Sequence, residues 1–338
     1  MKGFKFNPIT EKRLRQFKRN RLAYFSGWIL AICLVMSALA PLIANDRPYV
    51  MKFSGKLYFP IFHKTSAAEL GVENRATVDY RLLDLKSGGN WAVFAPVRFN
   101  PLESNEKITR YPSPPTLENP FGTDDRGRDV IARLLYGFRY SALYAVGVWM
   151  MTFLIGSTLG LLMGFSGGWI DLIGQRVVEV ISSVPQFFLL IILISVFEPS
   201  LKLLVTISSF FGWISISYYM RAEALKLRKL EFVEAGRAIG LTRWQIIFKH
   251  VLPNAITPIV TFSPFAIAAG ITGLAALDYL GFGLAPPTPS WGELLNQAKK
   301  YFTYAWWLAA YPSMALFGTL TLLNFLGEGL RNAFDPRA

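Results

Sequence analysis

Residues 231–254, EFVEAGRAIGLTRWQIIFKHVLPN, decide the reading of this 338-residue chain. The stretch is too polar to cross a bilayer, yet long hydrophobic segments flank it on both sides. Phe232, Ala235 and Ile239 recur at helical spacing and predict one apolar stripe, with Glu231, Glu234 and Arg237 on the other side of the same turns. Gly240 predicts a break, because glycine alone takes positive φ cheaply. Thr242 followed by Gln245 has the form of a capping box and predicts a second helix. Trp244, Ile247 and Val251 continue the apolar stripe, and Pro253 is expected to stop that helix. The stretch therefore reads as a short helix, a glycine turn and a second helix. It is held against a membrane domain and offers a surface to the cytosol.

Composition supports the membrane domain. The chain is 52% hydrophobic and 15% aromatic but only 17% charged, with a mean hydropathy of +0.34, too apolar for a soluble domain of this size. A net charge of +13 would suit nucleic acid. The basic residues, however, cluster beside the ends of apolar runs, as cytoplasmic flanks of spans do, so no nucleic-acid partner is expected. The single cysteine, Cys33, lies inside the first apolar run and cannot form an internal disulfide. The two histidines, His63 and His250, cannot build a histidine-rich metal site.

Outward from the central stretch, the chain organises into an all-α integral membrane protein. Residues 1–21 form a basic cytoplasmic N-terminus, with a single acid, Glu11. The run 22–43 is read as an uncleaved first span rather than a signal peptide, because it is a full span long and Pro41 follows the candidate cleavage residues Ala38–Leu39–Ala40. Residues 44–120 are a polar, proline-rich insertion placed in the periplasm, with strand-like pieces at 49–53, 56–62 and 91–99 that predict a small β-containing cap. Residues 121–338 form the remaining transmembrane domain, with a cytoplasmic loop at 220–255. Apolar runs at 142–165, 177–197, 201–219, 256–279 and 305–326 bring the total to about six transmembrane helices of ~20 residues each. An even number puts both termini on the cytoplasmic side, and Arg221, Lys226, Arg228, Lys229, Arg237, Arg243 and Lys249 place the central loop there too.

Several features invite chemistry but have a structural reading. Gly156, Gly160, Gly164 and Gly168 recur every four residues and strip one face of the second span, which favours close helix packing. Pro185 and Gln186 interrupt the third span. Asp124, Asp125, Arg126, Arg128 and Asp129 suit a metal or phosphate, but an interfacial amphipathic helix capped by Thr123 or Asp124, with Val130, Leu134 and Leu135 packed, is the preferred reading. Asp278 at the end of the fifth span reads as a helix-end residue. Glycines and prolines at 281–289 turn the chain away from that span.

The order of Glu234, Ala235, Gly240, Leu252 and Pro253 resembles the EAA loop of ABC importer permeases, with Gly236 where alanine is usual. FGTDDRGRDVIARLLYGFR at 121–139, LDYLGFG at 277–283, PPTPSWG at 286–292 and the GEGLRNAFDPR ending resemble the C-type permeases of the oligopeptide, dipeptide and nickel importers. IANDRPYV, LYFPIF and FAPVRFNP, in and around the insertion, resemble the YejE-type branch, which is associated with microcin C and oligopeptide import. The resemblance implies a permease subunit of an ATP-driven importer in the bacterial inner membrane. By it, Glu231, Glu234, Ala235, Gly236, Gly240, Leu252 and Pro253 form the ATPase-coupling surface. The expected partners are a homologous B-type permease, one or two ABC ATPase subunits, a periplasmic substrate-binding protein and the lipid bilayer. ATP and magnesium would belong to the partner ATPase, with no cofactor on this chain.

Four other readings compete with this one. A surface helix resting on lipid headgroups does not need so long an ordered match. A stand-alone channel or scaffold would work without ATP or partners, and a permease could carry another solute such as a nickel chelate or glycan. An enzyme is disfavoured: no phosphate-cradling G-x-x-x-x-G-K-[ST], no H-E-x-x-H, no C-x-x-C and no G-x-S-x-G is present, so no catalytic residue is assigned.

Overall fold

The computed structural model describes residues 8–334 except 64, 66–68, 71–77, 84 and 86–88. The last three residues of the GEGLRNAFDPR ending lie outside them. In chain order the elements are α1 (Pro8–Arg19), α2 (Arg21–Ala38), α3 (Ala40–Ile43), β1 (Val50–Phe53), β2 (Lys56–Tyr58), β3 (Trp91–Val93), α4 (Val130–Ser166), α5 (Gly168–Ser182), α6 (Gln186–Val196), α7 (Leu201–Leu227), α8 (Glu231–Ala238), α9 (Arg243–Ile246), a π-helical turn (Ile247–Val251), α10 (Leu252–Leu280), α11 (Trp291–Tyr301) and α12 (Trp306–Phe334). Five helices among the described residues are long and apolar enough to cross a membrane, and the bent pair α5–α6 makes up to six. The chain is thus mainly helical, as its apolar runs predict. It divides into two compact units. One takes residues up to Ala31, Ser141–Ala285 and those from Leu316; the other takes Ile32–Tyr140 and Pro286–Ala315.

In the first unit α4 lies against α7. A Cβ on Gly156 would stand 2.7 Å from the carbonyl oxygen of Trp213, one on Gly160 would meet the Ser217 carbonyl and lie 2.8 Å from Met220 Cβ, and one on Gly164 would meet the Arg221 carbonyl and lie 2.8 Å from Ala224 Cβ. Lipid tails are as apolar as leucine, so helices in a bilayer associate through such backbone-close packing rather than through hydrophobic exclusion. Gly168 does not share this role. Helix α4 ends at Ser166, Gly167 and Gly168 both take positive φ at the turn into α5, and a Cβ on Gly168 would meet nothing within 4 Å. The four-residue period runs one step past the end of the packing face.

The third apolar run is not one straight helix. Ser183, Val184 and Pro185 separate α5 from α6, and the two axes bend by 67°. A residue before proline avoids the α region, which ends α5 there. Helix α10 instead tolerates Pro258 and Pro264. The Ser263 hydroxyl donates to the Val260 carbonyl at 2.7 Å, the group that Pro264 has no N–H to satisfy.

In the second unit the strands form an antiparallel sheet in the order β2-β1-β3, with Met51 opposite Tyr58 and Ala92. The β1–β2 turn has positive φ at Ser54 and Gly55, the two-residue geometry that matches strand twist. Met51, Leu70 and Tyr80 form its core. The strands are shorter than predicted because Phe59 to Phe62 turns away and Phe94 to Phe99 leaves the ladder. The amphipathic helix expected over 121–139 starts only at Val130. Asp129, not Thr123 or Asp124, caps it, accepting from Ala132 N–H at 2.8 Å.

Gly160→Leu is expected to destabilise the first unit by about 1–3 kcal/mol through overpacking against the α7 backbone, read as a lower melting temperature in detergent. Gly168→Leu should cost only the left-handed backbone penalty, about 1–2 kcal/mol, and should leave the α4–α7 contact intact.

Candidate functional site

The loop Glu231–Pro253 is a built surface. Helix α8 begins after Leu230 with Glu231 and Glu234 in its first turn, where carboxylates favour the helix N-terminus by roughly 0.3–1 kcal/mol each. It ends in a double hydrogen-bonded cap. Gly240 N–H donates to the Arg237 carbonyl, and Leu241 N–H donates to the Gly236 carbonyl, both at 3.0 Å. Gly240 sits at φ +82°, as this motif requires. Thr242 then opens α9 with the predicted capping box: its hydroxyl accepts from Gln245 N–H, and the Gln245 side chain accepts from Thr242 N–H.

The buried face differs from the predicted stripe. Val233 of α8, with Ile246, Ile247 and Val251 beyond the turn, packs into a core with Leu161 and Phe165 of α4 and Met220, Ala224 and Leu227 of α7, and Gly236 is buried on the same helix. Phe232, Ala235 and Ile239 point outward with Glu231 and Glu234; Val233 is 0% exposed and Ile239 76%. Trp244 and Phe248 are exposed as well, stacked on each other at 5.9 Å between centroids. Of the predicted stripe, Phe232, Ala235, Ile239 and Trp244 thus line the free face, while Ile247 and Val251 are buried as predicted. The anchoring falls to fewer, smaller residues, and the Arg237 guanidinium lies 5.6 Å from the Phe165 ring centroid.

Pro253 does not stop a helix. Residues Arg243–Leu280 form one span-length run, and Leu252 and Pro253 begin its α10 part. The wider π turn accounts for this: Leu252 N–H donates to the Ile247 carbonyl, which opens the backbone where the proline ring would clash and where it lacks a donor. Gly236, the departure from alanine, is buried and has ordinary φ. A Cβ there would sit 3.5 Å from Leu241 Cδ1 and 3.6 Å from Ile246 Cγ1, an ordinary contact.

The second unit holds a buried ionic cluster. Asp124 accepts from Arg128 Nε at 2.7 Å and from the backbone N–H of Arg126 and Arg128, both at 2.9 Å. Arg133 lies 3.3 Å from Asp124, pairs with Glu293 and donates to the Pro101 carbonyl at 3.0 Å. Glu293 also takes Arg128 Nη2 at 3.1 Å. These carboxylates face guanidinium groups, and among the described residues no group of three His, Cys, Asp or Glu is placed to hold a metal. The arrangement suits architecture: it fixes the start of α4 to the start of α11, where Ser290 caps α11 by accepting from Glu293 N–H. Burial, then the neighbouring Asp124, pushes the Asp125 carboxyl above its usual range. Asp278, 7% exposed, accepts from Leu284 N–H at 2.6 Å and so closes the turn after α10, as its helix-end reading predicts.

Comparison with known proteins agrees with this architecture. Residues 156–338 match the family described as the binding-protein-dependent transport system inner membrane component, and residues 11–60 match the N-terminal TM domain of oligopeptide transport permease C. The chain is 39% identical to the inner membrane ABC transporter permease protein YejE of Escherichia coli over 98% of both chains. It is 36% identical to the peptidoglycan transport system permease protein YejE of Agrobacterium fabrum over 98% of this chain and 94% of that one. It is 32% identical to the dipeptide transport system permease protein DppC of Alkalihalophilus pseudofirmus over 73% and 81%.

Gly236→Ala is expected to stabilise α8 by about 1 kcal/mol, seen as slower amide exchange across Glu231–Ala238. Asp125→Asn should raise the stability of the second unit at neutral pH. The native Asp125 carboxyl has a raised folded-state pKa, so the folded state takes its proton first as pH falls. The advantage of the variant should therefore shrink on acidification through that raised pKa, which thermal melts at a series of pH values would read.

Proposed function

The chain belongs to the family of binding-protein-dependent transport system inner membrane components, and on that premise we propose that it is the C-type permease half of an ATP-driven importer of peptides or peptide-like compounds. The supporting observation is the loop Glu231–Pro253. Its anchoring side chains are buried, while Glu231, Glu234, Ala235, Ile239 and Trp244 are left outward on a turn held by Gly240 and the Thr242 capping box. A face of carboxylates and large apolar groups on a rigid double helix suits a protein groove, since exposed apolar clusters mark interaction sites.

In this reading the loop lies in the cytoplasm with both termini and docks on an ABC ATPase subunit, which holds ATP and magnesium. A homologous B-type permease completes the path, and residues 44–120 face the periplasm, from which a binding protein delivers substrate. Closure of the ATPases presses on Ile239, Trp244 and their neighbours, and the shared core of α4, α7 and the loop carries that displacement into the spans. The peptide class follows the named relatives, whose printed substrates are dipeptide and peptidoglycan. Oligopeptides, and microcin C as a peptide-like compound, are the first cargoes to assay.

Glu234→Lys reverses charge on the docking face, and Gly240→Leu forces a side chain into φ +82°. Each is expected to abolish uptake of a labelled oligopeptide while membrane levels stay normal. Normal transport by both variants at normal levels would refute the docking role.

A further inference from the structure

The coupling loop shares its core with α4 and α7, but the bent pair α5–α6 contributes no residue to that core. Apolar packing holds α5 and α6 to α4 and α7 elsewhere, Val178 with Met163 and Trp213, and Leu190 and Ile194 with Tyr144, Leu204 and Ile207. At the first turn of α5 a specific polar connection is added. Arg221 of α7 grips Asp171, in the first turn of α5, side-on: Nε to Oδ1 at 2.5 Å and Nη2 to Oδ2 at 2.7 Å. Both side chains are mostly buried, at 28% and 15% exposure. Seven residues on, at the C-cap of α7, Arg228 donates to the Gly164 carbonyl at 3.1 Å. Its guanidinium stands where a Cβ on Gly167 would come within 2.8 Å of Nη1. Between these two arginines lies the Gly167–Gly168 turn, both residues at positive φ, with Gly167 at ψ −161°, a conformation essentially confined to glycine.

We propose that the Asp171–Arg221 pair is a positioning device for transport: it locks the pliable glycine turn so that α5 follows α7 when the coupling loop is displaced, and so carries that displacement to the 67° bend ahead of α6. The proposal rests on the docking reading of the loop. Its physical basis is that a turn made of two glycines transmits little force by itself, whereas a bidentate arginine–carboxylate pair fixes direction as well as distance. Neither Asp171 nor Arg221 belongs to the outward face of the loop, so breaking the pair changes no side chain of the ATPase-docking surface. Met163 reinforces the same junction, since its Sδ fills the space a Cβ on Gly174 would need.

The test uses the complete importer, with its partner subunits, in proteoliposomes, and measures peptide taken up per ATP hydrolysed. Asp171→Asn is expected to retain the ATPase subunit and continue to hydrolyse ATP, while the uptake-to-hydrolysis ratio falls about tenfold, the scale of coupling lost at one joint. The charge-swapped double variant Asp171→Arg/Arg221→Asp should return the ratio to within about twofold of the native complex, the mark of direct pairing rather than two separate defects. A native ratio in Asp171→Asn overturns the proposal. So does a swapped complex that assembles but stays at the low ratio. If Asp171→Asn fails to assemble, the swapped variant decides by the same ratio. Failure of the native chain to retain any ATPase subunit would refute the docking reading itself, a result separate from any change in ratio.

Discussion

The structure of the first unit depends on how closely α4 approaches α7. Gly156, Gly160 and Gly164 remove every Cβ from one face of α4, and the carbonyls of Trp213, Ser217 and Arg221 on α7 occupy the space so released. Both series advance by one helical repeat of four, so the contact is continuous rather than a single crossing point. In a bilayer this matters more than hydrophobicity, because apolar side chains gain nothing by leaving lipid for protein. A side chain at any of the three glycines would push against backbone, which cannot rotate away.

That contact in turn sets where the loop Glu231–Pro253 sits. The ends of α4 and α7 supply Leu161, Phe165, Met220, Ala224 and Leu227 to the core on which Val233, Ile246, Ile247 and Val251 rest. The loop is thus not a flexible tether between spans. It has its own caps on both short helices, and the π turn at Ile247–Val251 lets it run into α10 without a break. A surface anchored in this way can receive a load and pass it to two spans at once.

Much of this was legible in the residues. The apolar runs, the glycine break at Gly240, the Thr242–Gln245 cap and the strands of the insertion follow from local chemistry, and the structure places them close to where the spacing does. The misreadings have two kinds of cause: a local backbone departure that spacing does not show, or a deciding residue distant in sequence. Helical spacing picked Phe232, Ala235 and Ile239 as the buried stripe, because burial is the usual fate of apolar residues. In this helix of eight residues the smaller Val233 and Gly236 take the inside, against the core that Ile246 shares with α4 and α7. Pro253 reads as a stop only if the preceding turn is α-helical. Gly168 shares the period of the packing glycines but not their helix. The string DDRGRD shows its charges, yet its burial depends on Arg133 and Glu293, the latter more than 160 positions away from Asp125.

The most direct measurement is photocrosslinking of the assembled importer in its native membrane, with the photoreactive residue at Ile239 in one variant and at Val233 in another. The outward face at Ile239 should give an adduct with the ATPase subunit, and Val233, buried against α4 and α7, should give none. Adducts from Ile239 to lipid alone would contradict the account and return the loop to an amphipathic segment lying on headgroups.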